Sequence, residues 1–193
     1  TITNTTNGTG TTTRPVPLTI ATAGVLAVTP ATGLTSTGLT GGPFTPSSQA
    51  YTLQNTGGSA INWTSTNGQA WTTLSSASGT LAAGATATVT VSINTAANAL
   101  AAGTYADTVT FANTTNGAGD TGRPISLTIT TPGTLVITPA DGFVSTGPLG
   151  GPFAPSSLVY TLQNAGGTAL SWAATKTQAW TTLSSGSGSL APG

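Results

Sequence analysis

The chain contains no cysteine, no histidine, no methionine and no glutamate. Charge is nearly missing as well: three Lys or Arg against three Asp, 3% of 193 residues, with a formal net charge of zero. Globular domains ordinarily carry about 25% charged residues. Each lack removes a class of chemistry. Without His or Cys there is no Ser-His triad, no thiol nucleophile, no Cys/His zinc site and no redox dithiol. Without Cys there is no disulfide, so stability must come from burial and hydrogen bonds. Three cations cannot neutralise a phosphate backbone, which removes nucleic-acid binding by counterion release. No uninterrupted apolar run of about 18 residues occurs, so no membrane span is expected in these residues. No charged leader with an apolar stretch opens the chain. The inventory predicts no catalytic residue, no cofactor, no metal site and no enzyme.

What is present points one way. Apolar residues make up 37% of the chain, Gly contributes 26 residues and Thr 45. Mean hydropathy is +0.17, too apolar for a disordered chain, and net charge is too low for one. Thr, Val, Ile and the aromatics favour pleated, half-buried surfaces, and most good helix formers are scarce. The composition predicts an all-β fold.

The chain repeats itself with a period of 109 residues. TLQN at Thr52–Asn55 returns at Thr161–Asn164, GGPF at Gly41–Phe44 returns at Gly150–Phe153, and QAWTTLSS at Gln69–Ser76 returns at Gln178–Ser185. A shift of 109 aligns 193 − 109 = 84 positions without a gap, and 53 are identical. Such similarity implies one shared fold. It divides the chain into 1–23, the last strands of one repeat, 24–131, a complete repeat, and 132–193, the leading part of a third. We read the chain as a window of a longer tandem array. The other reading is a subunit whose incomplete ends are completed by neighbours, by strand addition. Joining the ends still leaves the counterparts of Ala85–Val109 unfilled, 25 positions, which favours the window.

Within the complete repeat, Val25–Thr29 reads as a short strand stopped by Pro30, and Ala31–Ser48 as a long loop rich in Gly, Thr and Pro. Gln49–Gln54 alternates, with Tyr51 and Leu53 on one face. Ala60–Ser65 places Ile61 and Trp63 together, and Trp71 and Leu74 anchor a short segment before a turn at Ser78-Gly79. Thr86–Ile93 sets Val89, Val91 and Ile93 against Thr88, Thr90 and Ser92. Tyr105, Val109 and Phe111 line a further strand, on whose apolar face Asp107 sits awkwardly; a bulge or a rim position would resolve it. Asn113–Asp120 is a hairpin loop. Ile125, Leu127 and Ile129 form the last strand, and Val16, Leu18 and Ile20 its copy. About seven short strands at this spacing predict a sandwich of antiparallel sheets. The joint Thr130–Gly133 is short and stiffened by Pro132, which favours a semi-rigid row of beads.

Tyr51–Trp63 (YTLQNTGGSAINW), then Trp71, Leu74, Ser75, Ser78, Gly79, Leu81 and Gly84, Ala87–Asn94 (ATVTVSIN) and Gly103–Tyr105 (GTY) together resemble the BACON domain family. Tyr160–Gly193 carries the same pattern a second time. The resemblance implies tandem immunoglobulin-like antiparallel β-sandwiches, about seven strands per 109-residue repeat, in a secreted or cell-surface setting, often beside carbohydrate-active domains. The leading segment Gly24–Ser48 is additional to the family pattern.

Candidate residues follow. Sugars stack on exposed aromatic faces, so Trp63, Trp71, Trp172 and Trp180 are the candidate carbohydrate-binding residues. Their phase with Ile61 and Leu170, and the family's core tryptophan, favour core packing instead. Asp107, Asp120 and Asp141 are too scattered for a glycosidase pair or a calcium cage, and read as solvated or turn-capping. Arg14 and Arg123 are the charges present in both copies, and are expected to bond nearby carbonyls. Asn4, Asn7, Asn62 and Asn113 stand in Asn-x-Ser/Thr sequons. A surface this poor in charge has few gatekeepers against edge pairing. The expected function is structural: a component of an extracellular filament, stalk or surface layer, with other copies of itself as partners. The alternative is an adhesin or carbohydrate-binding module acting on glycans.

Overall fold

The computed structural model describes all 193 residues, Thr1 to Gly193. Ten strands lie between residues 26 and 130: β1 (Leu26–Thr29), β2 (Leu34–Leu39), β3 (Phe44–Thr45), β4 (Ser48–Asn55), β5 (Ile61–Thr66), β6 (Thr72–Leu74), β7 (Ser78–Leu81), β8 (Thr86–Ile93), β9 (Gly103–Asn113) and β10 (Thr121–Thr130). They form a four-stranded sheet, β1-β4-β8-β6, and a six-stranded sheet, β3-β2-β10-β9-β5-β7. Every pairing is antiparallel except β2 with β10. The fold is all-β and sandwich-like.

Alternation builds the core. Tyr51 and Leu53 of β4, Ile61 and Trp63 of β5, Val89 and Val91 of β8, Val109 and Phe111 of β9, and Ile125, Leu127 and Ile129 of β10 are all buried. They belong to one cluster of 18 buried apolar residues. Tyr51 and Phe111 meet with ring centroids 5.4 Å apart and planes tilted 56°, the inclined arrangement aromatic quadrupoles prefer.

The structure departs from the sequence reading of these strands in four places. Ala31–Ser48 is not a loop throughout, because β2 and β3 lie inside it. The inward positions of β2 are Leu34, Ser36 and Gly38, so its alternation carries little apolar signal. Ser78-Gly79 opens β7 rather than a turn, and the strand count is ten, not seven. No bulge surrounds Asp107, since the β9–β10 register runs unbroken through Ile125↔Asp107. Val16, Leu18 and Ile20 form no strand and are 91%, 83% and 84% exposed. Residues 132–193, read above as the leading part of a repeat, do not close a second sandwich. They form two separate hairpin-like pairs, β11 (Leu135–Thr138) with β12 (Thr161–Asn164), and β13 (Leu170–Ala173) with β14 (Ser187–Leu190). Residues 133–193 align with 24–84, so they hold no counterpart of β8, β9 or β10. Those are the strands that supply much of the facing core in residues 26–130.

The two ends of the sandwich are distinct. At the leading end, Leu26 N donates to the Ala118 carbonyl (3.0 Å). Asn113 Nδ2 and Asn116 Nδ2 both donate to the Gly24 carbonyl (3.4 and 3.0 Å). β10 leaves that hairpin loop and runs parallel to β2, and Thr40 N closes on the Thr130 carbonyl at the far end (2.9 Å). The chain therefore comes in at one end of the sandwich and goes out at the other.

Candidate functional site

Trp63 is 3% exposed and Trp71 5% exposed, so neither offers a face to a sugar. Trp63 lies opposite Gly79 in the β5–β7 pairing. A Cβ on Gly79 would stand 2.9 Å from the indole, so only glycine lets the ring lie across β7. The arrangement recurs: Trp172 faces Gly188 across β13–β14, with an added Cβ again 2.9 Å away. Trp172 is half-buried, whereas Trp180 is 73% exposed. Of the four candidates, only Trp180 presents a broad face, and its counterpart Trp71 is core.

Three of the six charged groups, Asp107, Asp120 and Arg123, are engaged in the fold. Asp107 is buried, not solvated. Its carboxylate accepts from Thr72 Oγ1 (2.6 Å), Gly68 N (3.0 Å) and Thr108 N (2.8 Å), which ties β6 and the turn after β5 to β9. Asp120 caps the hairpin loop by accepting from Asn113 N (2.6 Å). Asp141 is exposed. Arg123 is buried and bridges the two sheets. Its Nε donates to the Pro30 carbonyl (2.9 Å) and Nη2 to that of Val28 (2.7 Å), while Nη1 reaches Thr121 Oγ1 (2.6 Å) and the Gly122 carbonyl (2.9 Å). Arg14, its copy, is exposed and donates to Thr12 Oγ1 (2.9 Å). Lys176 is exposed and bonds the Gln178 carbonyl (3.2 Å). No group of three or more acids converges on a point that could hold a metal. Burial raises the phenol of Tyr51 above its ordinary value, an effect the nearby Arg123 charge opposes; its hydroxyl donates to the Thr32 carbonyl (3.1 Å). Among the sequons, Asn113 is buried and committed to the hairpin loop.

Two asparagines missed by the sequence reading hold the joints. Asn55 is fully buried. Its Nδ2 donates to the carbonyls of Ser59 (2.8 Å), Leu81 (3.1 Å) and Ala82 (3.1 Å), and its Oδ1 accepts from Val25 N (3.2 Å) and Gly57 N (3.0 Å). Asn164, 109 residues on, repeats the pattern with Thr168 (2.8 Å), Leu190 (3.3 Å), Thr134 N (3.0 Å) and Gly166 N (3.0 Å). In both, the incoming linker lies against the adjacent Gly-Gly turn, at Gly57-Gly58 and Gly166-Gly167, with no room for a Cβ at Gly57 or Gly166. The signal was present: TLQN, one variable residue and then GG recur in both repeats.

The largest surface feature is an apolar groove of about 1000 Å³ across residues 135–185, lined by Ile137, Phe143, Tyr160, Leu162, Trp172 and Trp180 among others. Subtracting 109 gives Val28, Leu34, Tyr51, Leu53, Trp63 and Trp71, each no more than 8% exposed. The groove is thus the uncovered inner face of the sandwich pattern.

Two packed sheets over a core that takes in both indoles define an all-β, sandwich-like fold. The viral BACON domain model matches residues 26–123, just over half of the chain, and the chain belongs to that family. No curated protein matches it. Among solved structures, it is similar to a Bacteroides ovatus GH5 xyloglucanase in complex with a XXXG heptasaccharide, at 18% identity and a TM-score of 0.39 over 54% of this chain and 19% of that one. It is also similar to the ASH/PapD-like domain of human CEP192, at 14% identity and a TM-score of 0.43 over 64% and 96%. The CsuC–CsuE chaperone–tip adhesion subunit complex of Acinetobacter baumannii aligns at 11% identity and a TM-score of 0.40, over 87% and 83%. The chain spans about a fifth of the xyloglucanase, 19% of its length.

Proposed function

We propose that the chain is a scaffold: part of an extracellular filament, stalk or surface layer made of uncharged β-sandwich repeats, with no enzymatic activity of its own. One observation carries the reading. The chain comes in and goes out at opposite ends of the sandwich, through a linker held by Asn55 at one repeat and Asn164 at the next. Repeats joined in this way extend in a row. The reading is supported by the use of Arg123, Asp107, Trp63 and Trp71 inside the fold, which leaves few charges on the surface. Negative-stain microscopy tests it: rods of constant width are expected. Compact, unconnected particles at every concentration would sink it.

The glycan-binding alternative rests on Trp180, the one widely exposed indole. A glycan array with Trp180→Ala as control separates the two. Tryptophan-dependent binding would move the assignment to an adhesin.

A further inference from the structure

We propose that β7 is a lateral docking edge, and that its occupant is β7 of a second copy of this chain, paired antiparallel about Gly79. The proposal rests on the scaffold reading and adds a sideways contact to it. The sandwich has four sheet edges: β1 and β6 on one sheet, β3 and β7 on the other. A free edge offers unpaired N–H and C=O groups to another strand, and three of these four are closed. Beside β1, Leu26 N is taken by the Ala118 carbonyl (3.0 Å), while Arg123 donates to the carbonyls of Val28 (2.7 Å) and Pro30 (2.9 Å). β3 is two residues long and stands between Pro43 and Pro46, which have no N–H to give. β6 is three residues long, and its outward Thr72 is engaged through both backbone groups, N with the Gln69 carbonyl (3.3 Å) and the carbonyl with Asn67 Nδ2 (3.2 Å).

β7 has no such guard. Ser65 N donates to the Ala77 carbonyl (2.8 Å). The alternation of an antiparallel ladder then turns the backbone groups of Gly79 and Leu81 toward β5, and those of Ser78 and Thr80 away from it. Ser78 and Thr80 are exposed, and the strand holds no proline and no charge. Of their outward backbone groups, the Ser78 carbonyl alone meets a side chain, Ser76 Oγ (3.1 Å), and it keeps a second lone pair. Turned over about Gly79, the strand matches itself. Ser78 of each copy faces Thr80 of the other, and each such pair exchanges both of its N–H···O bonds. Gly79 then faces Gly79 at the non-hydrogen-bonded position, where strands approach most closely, about 4.5 Å between Cα atoms. Like charges directly opposite would oppose such a pairing, and this strand has none. The match to itself and the absence of charge select a second copy as the occupant. The edge also recurs: β14 is its counterpart 109 residues on, and Ser185 Oγ bonds the Ser187 carbonyl (3.1 Å) as Ser76 bonds Ser78. So short a pairing is weak by itself. Repetition along an array makes it firm, because later contacts form at a high effective concentration.

Disulfide trapping reads a weak contact, and the chain has no cysteine of its own. Facing Ser78 and Thr80 stand about 5.5 Å apart between Cα atoms, a span that a disulfide bridges. Chains carrying Ser78→Cys mixed with chains carrying Thr80→Cys should give a linked dimer on mild oxidation, at a several-fold higher yield than either variant alone. Charge provides the second test. Ser78→Lys with Thr80→Lys sets like charges opposite one another and should weaken self-association in sedimentation roughly tenfold. Ser78→Asp with Thr80→Asp should do the same, and mixing the two variants should restore the pair. Equal disulfide yields in mixed and unmixed samples, or no recovery when the Lys and Asp chains are combined, would overturn the proposal. Rods of the unmodified chain that lie singly and never side by side would also overturn it, while leaving the scaffold reading in place.

Discussion

Asn55 shows how a side chain with no apolar surface to bury becomes a centre of the fold. All of its donors and its acceptor are used, on backbone groups from the incoming linker, the turn after β4 and the end of β7. Replacing it with alanine leaves buried carbonyls and N–H groups without partners, a cost of about 1–3 kcal/mol for such a group. Asn55→Ala is expected to lower stability by about 3 kcal/mol in urea unfolding. Arg123 makes the analogous link between sheets. Arg123→Lys keeps the charge but loses the planar fork, and a loss of about 2 kcal/mol is expected in the same measurement. Tyr51 gives the pH dependence. Its folded pKa is raised above the ordinary 10.0 by burial, so the fold holds this proton more tightly than the unfolded chain does. That contribution is complete below about pH 10 and declines as pH rises through the folded value. Tyr51→Phe should therefore flatten the alkaline arm of a plot of melting temperature against pH.

At the scale of strands, legibility follows side-chain chemistry. β4, β5, β8, β9 and β10 could be read because Val, Ile, Leu and aromatics occupy alternate inward positions. β2 and β7 could not, because their inward faces hold Ser36, Gly38 and Gly79; at the two glycines the space is taken by the rings of Phe44 and Trp63 rather than by an apolar side chain of their own. Asp107 looked misplaced because its partners, Thr72 and Gly68, lie 35 and 39 residues away in sequence. The uncovered third segment follows from the 109-residue period, because residues 133–193 align with 24–84 and hold no counterpart of β8, β9 or β10. Two outcomes follow. Gly79→Ala drives a methyl against the Trp63 indole and should cost about 1–3 kcal/mol, measurable by thermal melting with Trp63 emission as probe. Brief chymotrypsin digestion should cut at Phe143, Phe153 or Trp180 well before Trp63, Trp71 or Phe111, which mass spectrometry of the fragments would register.

For the molecule as a whole, the scarcity of charge sets the response to solvent. With no histidine or cysteine, no side chain of a type that titrates near neutrality is present. Surface ion pairs cannot contribute what screening would remove. The melting temperature should stay level between about pH 5 and 9 and change little with added sodium chloride, as calorimetry can check. The opposed ends of the sandwich carry one more consequence. A pull on Gly24 and Thr130 acts along β10, whose six residues from Ile125 to Thr130 pair with β2 and whose other edge pairs with β9. Tension directed along a strand loads all of those bonds together, whereas a sideways tug would peel them one at a time. The topology that sets chain entry and exit at opposite ends thus presents the sandwich to mechanical stress in its most resistant direction.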